Sequence, residues 1–262
     1  MNNSFDRVAS IYDASRGLPE FVSEQVTECI LRLVSATPNT TFLEPGIGTG
    51  RIALPIVQRG YAYTGIDISE KMMDELRRKF QQMPNNLTLL QADATRLPFN
   101  DFFDVVVCVH LLHLIPAWRQ ALAEIRRVLK PEGVFLYCPG SASCSGYKTF
   151  EQQWKAILAQ HGFRLTRYGA AAQQVVEVLT EEGAILETVT AAEWQNNQTI
   201  GEWLYAYQER FFSSSWQIPD EIFSKAIQDL KDWVLRNYES EETVLSSTGK
   251  FELIVARQWK FR

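Results

Sequence analysis

Leu43-Glu44-Pro45-Gly46-Ile47-Gly48-Thr49-Gly50-Arg51 decides how this chain folds. The stretch follows a short apolar run, Thr41-Phe42-Leu43, and precedes Ile52, Ala53, Ile56 and Val57, which share one face at helical spacing. Alternate glycines permit a tight turn whose backbone approaches a ligand closely. Asp67 stands seventeen residues beyond Gly50, at the end of the next apolar run, residues 61–66. Strand, glycine loop, helix, strand and acid form the layout of a nucleotide-cofactor site, with the acid placed for ribose hydroxyls.

Two side chains turn this loop away from dinucleotides. A dinucleotide loop keeps a small residue three positions after its second glycine, for close helix packing; here that residue is Arg51. Glu44 closes the strand, where an acid repels a pyrophosphate and suits a ligand carrying an ammonium group.

Outward from the loop, apolar runs alternate with helical patterns. Ser69 is placed to cap a helix over residues 70–82, with Met72, Met73, Leu76 and Phe80 on its inner face. Residues 87–90 and 105–109 read as strands, the second apolar throughout, as in a parallel sheet covered on both faces. Residues 118–130 read as a helix, and Pro131-Glu132-Gly133 as its turn into a strand over 134–137. The alternation predicts a doubly wound α/β sheet that binds ligands at the carboxyl ends of its strands. Beyond residue 140 come further helices, an aromatic-rich stretch from Trp194 to Trp216, and strands over 184–189 and 251–256.

Glu44 to Gly50 resembles the first motif of class I S-adenosylmethionine-dependent methyltransferases. Asp67, with Ile68 beside it, matches the acid that ends their second strand and binds ribose. Asp93-Ala94 matches the third-strand motif, in which the acid accepts from the adenine amino group. Val128-Leu129-Lys130-Pro131-Glu132-Gly133 resembles the turn into their fifth strand, with Glu132 where a glycine is common. The likeness covers residues 5–140 and, loosely, the last strand. It implies a Rossmann-like, mostly parallel seven-stranded sheet of order 3-2-1-4-5-7-6 with the last strand antiparallel. It also implies S-adenosylmethionine as cofactor, S-adenosylhomocysteine as product, and Gly46, Gly48 and Gly50 as its cradle. Taken singly, Asp67 and Asp93 also fit the bland roles of strand end and turn residue.

The opening segment, Phe5 to Arg16, is similar to that of small-molecule members of the family, where a tyrosine and an arginine fold over the methionine end of the cofactor. Tyr12 then caps the sulfonium and Arg16 pairs with the carboxylate; the competing reading is an amphipathic start packed on the domain. His110 and His113 follow the fourth strand. His110 is assigned to the cofactor. His113 falls where related enzymes carry a histidine, as a base or acceptor-orienting group, or else as a pocket-lining residue. The two histidines lack a third ligand at metal-site spacing, so no metal is expected.

The expected organisation is one methyltransferase domain over 1–262: a cap at 1–35, a cofactor core at 36–140, and helical insertions at 141–183 and 190–245 forming a lid. Trp194, Trp203, Tyr205, Tyr207, Phe211, Phe212 and Trp216 read mostly as that lid's own core, with Arg210 a candidate anion contact. The net charge of −5 argues against a nucleic-acid partner. The opening residues lack a secretory pattern and no apolar run reaches membrane-span length. The four cysteines form no C-x-x-C pair, as in a reducing compartment. The sequence therefore predicts a cytoplasmic monomer or homodimer that methylates a small-molecule acceptor by in-line displacement. Two alternatives remain open: a non-catalytic S-adenosylmethionine binder, and an NAD(P)-dependent oxidoreductase, against which Glu44 and Arg51 speak.

Overall fold

A computed structural model of the chain describes residues 5–100, 102–140 and 145–259. Two 3-10 turns, Phe5–Arg7 and Ala9–Ile11, lead into helices α1 (Tyr12–Arg16) and α2 (Glu20–Leu33). Then β1 (Thr41–Pro45), α3 (Ala53–Gln58), β2 (Ala62–Asp67), α4 (Glu70–Arg77), β3 (Leu87–Gln91), β4 (Phe103–Val109), α5 (Trp118–Val128) and β5 (Leu129–Cys138) alternate as read. The rest holds α6 (Ser145–Gln160), α7 (Ala172–Glu181), β6 (Ile185–Thr199), α8 (Ile200–Gln208), α9 (Asp220–Asn237) and β7 (Val244–Arg257). The seven strands lie in the order β3-β2-β1-β4-β5-β7-β6. β1 to β5 pair in parallel, and β7 runs antiparallel to β5 with Leu136 opposite Val255. The Rossmann-like sheet is the one the resemblance implied.

Several boundaries differ from the sequence reading. α5 stops at Val128 and β5 starts at Leu129, because Lys130 precedes Pro131 and so disfavours helical backbone. α4 stops at Arg77 rather than 82, and Lys79 turns its amine back to the Thr49 carbonyl, 2.7 Å away. β6 and β7 run well past their apolar segments; the burial of β6 is too broken to read as a strand.

The described residues form two compact units: those within 5–140 with 168–192 and 251–259, and 145–167 with 193–250. α7, expected within an insertion, belongs to the first, where Val175 and Leu179 are buried with Trp118, Ile125, Phe135 and Trp259. In the second, α6, α8 and α9 bury Phe150, Trp154, Trp203, Tyr207, Phe223 and Leu230 together. Of the aromatic stretch, Trp203 and Tyr207 belong to this unit's own core and Phe212 packs against it, while Tyr205 is exposed. Arg210 is engaged there too, 2.7 Å from Asp220 and over the Phe223 ring. Cys29, Cys108 and Cys138 are buried free thiols, while Cys144 lies outside the described residues. Among the described residues, no helix is long and apolar enough to cross a membrane.

The parallel sheet depends on glycine where its loops meet. A Cβ on Gly65 in β2 would fall 2.0 Å from Ile47 Cδ1 and 2.9 Å from Ile47 Cβ. Gly65→Ala is expected to cost about 1–3 kcal/mol through overpacking. A urea unfolding series checks this, an unchanged midpoint contradicting it.

Candidate functional site

The turn after β1 is held from three sides. Gly46, Gly48 and Gly50 all have left-handed backbone, with φ of 73, 56 and 76°. The Gly46 and Ile47 N–H groups donate to the Ile66 carbonyl at 2.8 and 3.0 Å, and the Gly48 N–H donates to Asp67 Oδ2 at 2.9 Å. A Cβ on Gly50 would strike Leu76 of α4, and one on Gly46 would strike Leu111 after β4. The ends of β1, β2 and β4 therefore converge on one loop.

Two acids stand at those ends in different surroundings. Asp67 also accepts from the Ser69 N–H at 2.8 Å, and Ser69 in turn caps α4 by accepting from the Met72 N–H. Burial raises the Asp67 carboxyl above its ordinary value, against the lowering effect of the Ser69, Gly48 and Ile68 N–H groups. Glu44 is buried, and the Tyr63 hydroxyl donates to its Oε2 at 2.7 Å. Burial pushes Glu44 up to about 8, opposed by that hydrogen bond and by Arg51. Burial and the neighbouring Glu44 raise the Tyr63 phenol as well.

Asp93 lies after β3 and is exposed; its Oδ1 accepts from the N–H and hydroxyl of Thr95, both at 2.8 Å. Ala94 is buried beside it, and Ile68 is half exposed. His110 follows β4 in left-handed backbone, φ 54°, with its Nδ1 3.2 Å from Arg51 Nη2. His113 sits in a 3-10 turn, Leu112–Leu114, whose carbonyls accept from the Gly169 and Ala170 N–H groups.

The N-terminal segment closes on the same loop. The Thr49 hydroxyl donates to Asp13 Oδ1 at 2.5 Å, and Lys79 Nζ lies 2.5 Å from Asp13 Oδ2. The Ser69 hydroxyl donates to Asp6. The Arg16 guanidinium lies over the Tyr12 ring, 5.4 Å from its centroid. Tyr12, Arg16, Glu44, Asp67 and His110 thus share one neighbourhood. Asp6, Asp13, Lys79 and Arg51 were not singled out as site residues in the sequence, because their partners lie 30 or more positions away. The opening segment was read for Tyr12 and Arg16 and not for its two acids. Among the described residues, no group of three metal-type side chains gathers.

Residues 43–137 match the family described as methyltransferase domain. The demethylmenaquinone methyltransferase of Clavibacter sepedonicus is 27% identical over 206 residues, covering 77% of this chain and 79% of that protein. The phosphatidylethanolamine N-methyltransferase of Cereibacter sphaeroides is 34% identical over 139 residues, 51% of this chain and 64% of that one. The chain spans between 51% and 64% of the length of several such relatives. Geranyl diphosphate C-methyltransferase of Streptomyces coelicolor A3(2), solved with Mg2+, geranyl diphosphate and S-adenosyl-L-homocysteine, shares the fold. Its TM-score is 0.51 at 14% identity, over 90% of this chain and 80% of that one.

Glu44 sets a pH dependence. Folded, it keeps its proton up to about pH 8, whereas an ordinary carboxyl releases it near 4.5. Between these values the folded state binds more protons than the unfolded one, so stability falls as pH rises. Glu44→Gln is expected to flatten that fall in denaturant midpoints measured from pH 5 to 8. An identical slope in both proteins contradicts the assignment.

Proposed function

We propose that this chain, whose residues 43–137 match a methyltransferase domain, transfers a methyl group from S-adenosylmethionine to a small-molecule acceptor. The observation that carries this reading is the convergence of Glu44, Asp67 and the left-handed glycine turn at adjoining strand ends. The residues fit the cofactor. The buried Nε2 of His110 has no hydrogen-bond partner among the described residues, and a buried acid at Glu44 suits an ammonium group. In this reading Asp67 and Ile68 hold the ribose, and Asp93 and Ala94 hold the adenine. Gly46, Gly48 and Gly50 form the cradle, while Tyr12, Arg16 and His110 serve the amino-acid end.

When bound, the cofactor supplies a methyl group on a sulfonium, activated by its thioether leaving group. The chain's own work is to align the acceptor, exclude water and, for a hydroxyl or carbon acid, take up a proton. His113 is the residue for that last task, its turn fixed by Gly169: a Cβ there would meet the Leu112 carbonyl oxygen at 2.2 Å. The two relatives are named for different acceptors. Acceptor choice is therefore assigned to residues outside the matched segment 43–137.

Calorimetry with S-adenosylhomocysteine and NAD tests the cofactor: the first is expected to bind and the second not. Asp67→Asn should weaken binding at least about tenfold. Binding of NAD alone overturns the reading. Because a bound ammonium requires Glu44 to be ionised, affinity should rise from pH 6 to 8. With the acceptor in hand, His113→Ala should lower kcat while leaving S-adenosylhomocysteine affinity intact; unchanged turnover across pH removes the proton-transfer role.

A further inference from the structure

Arg51 joins two parts of the site that the sequence holds far apart. Its Nη1 donates to the Arg16 carbonyl at 2.9 Å, and its Nη2 faces His110 Nδ1 at 3.2 Å. A guanidinium offers only donors, so His110 Nδ1 must receive that bond with its lone pair. The single proton of the neutral ring then sits on Nε2. Burial, and after it the charges of Arg51, His113 and Arg16, hold the imidazole well below its usual range and therefore neutral.

The ring is presented deliberately. His110 occupies left-handed backbone, which a residue with a side chain adopts seldom and mostly at functional positions. Its own N–H is anchored to the Cys138 carbonyl at 2.9 Å. The outcome is a buried Nε2–H with no acceptor among the described residues, a state that native proteins rarely leave uncompensated. Two guanidiniums, those of Arg51 and Arg16, act electrostatically on the same ring. The missing acceptor that suits this field is an anionic oxygen.

We propose that Arg51 locks His110 in the Nε2–H form, so that His110 donates to the carboxylate at the amino-acid end of the bound methyl donor. Arg51 is a positioning residue that never needs to touch the ligand. His110 becomes a determinant of selectivity for ligands that retain the carboxylate. This rests on the cofactor reading above and sharpens it, by replacing a general assignment of His110 with a stated donor atom and a stated tautomer.

The test compares two ligands and one spectrum. S-adenosylhomocysteine carries the amino-acid end and 5′-methylthioadenosine lacks it. His110→Asn, whose side chain tolerates left-handed backbone, should weaken S-adenosylhomocysteine about tenfold and leave 5′-methylthioadenosine within about twofold. Long-range 15N–1H NMR of the chain's 3 histidines should show His110 with an unprotonated Nδ1, and Arg51→Met should lose that single-tautomer signature. Arg51→Met should also lower S-adenosylhomocysteine affinity, with Arg51→Lys restoring part of it. Equal losses for both ligands, no loss for either, or a protonated Nδ1 in the unaltered protein would each overturn the proposal. Failure of the unaltered protein to bind S-adenosylhomocysteine would instead remove the cofactor reading itself.

Discussion

The hydrogen bond from the Gly48 N–H to Asp67 Oδ2 ties the turn after β1 to the end of β2. It forms only because Gly46, Gly48 and Gly50 adopt left-handed backbone and because Gly65 leaves room for Ile47. Once the turn is fixed, Asp67 also receives the Ser69 N–H, and Ser69 starts α4. Leu76 of that helix then packs where a Gly50 side chain would be. Loop geometry, helix start and acid orientation therefore meet at one contact.

A second layer rests on the first. With the turn in place, Thr49 and Lys79 hold Asp13, Ser69 holds Asp6, and Arg51 reaches the Arg16 carbonyl. The N-terminal segment is thus fastened by polar contacts at several points and by the burial of Val8 and Ala9, while α1 and the first 3-10 turn bury no residue. Such contacts each contribute little and are lost cooperatively.

Much of this was legible in the sequence. Glu44, Asp67, Asp93 and the glycines stand at strand ends, and strand ends are visible as the close of apolar runs. The strand order followed from resemblance and matches the sheet. Less legible were features made by long-range meeting. Arg51 was readable only as a residue too large for a dinucleotide loop, since nothing local shows that it faces His110, 59 positions away. The Tyr63 hydroxyl on Glu44 was hidden in the same way: Tyr63 reads as an apolar strand residue, and its polar end acts only once β1 and β2 pair. The outer part of β6 was missed because its burial is broken, that of β7 because its first buried positions are Ser247 and Gly249 and not apolar residues, and the placement of α7 because a helix pattern does not say which core it joins.

The central claim is that the strand-end loops and the N-terminal segment make one cofactor site. Hydrogen exchange with and without S-adenosylhomocysteine tests it most directly. Slower exchange in residues 5–16, 44–51 and 67–70 together is the expected result. Protection of the glycine turn without the N-terminal segment, or none in either, would contradict it.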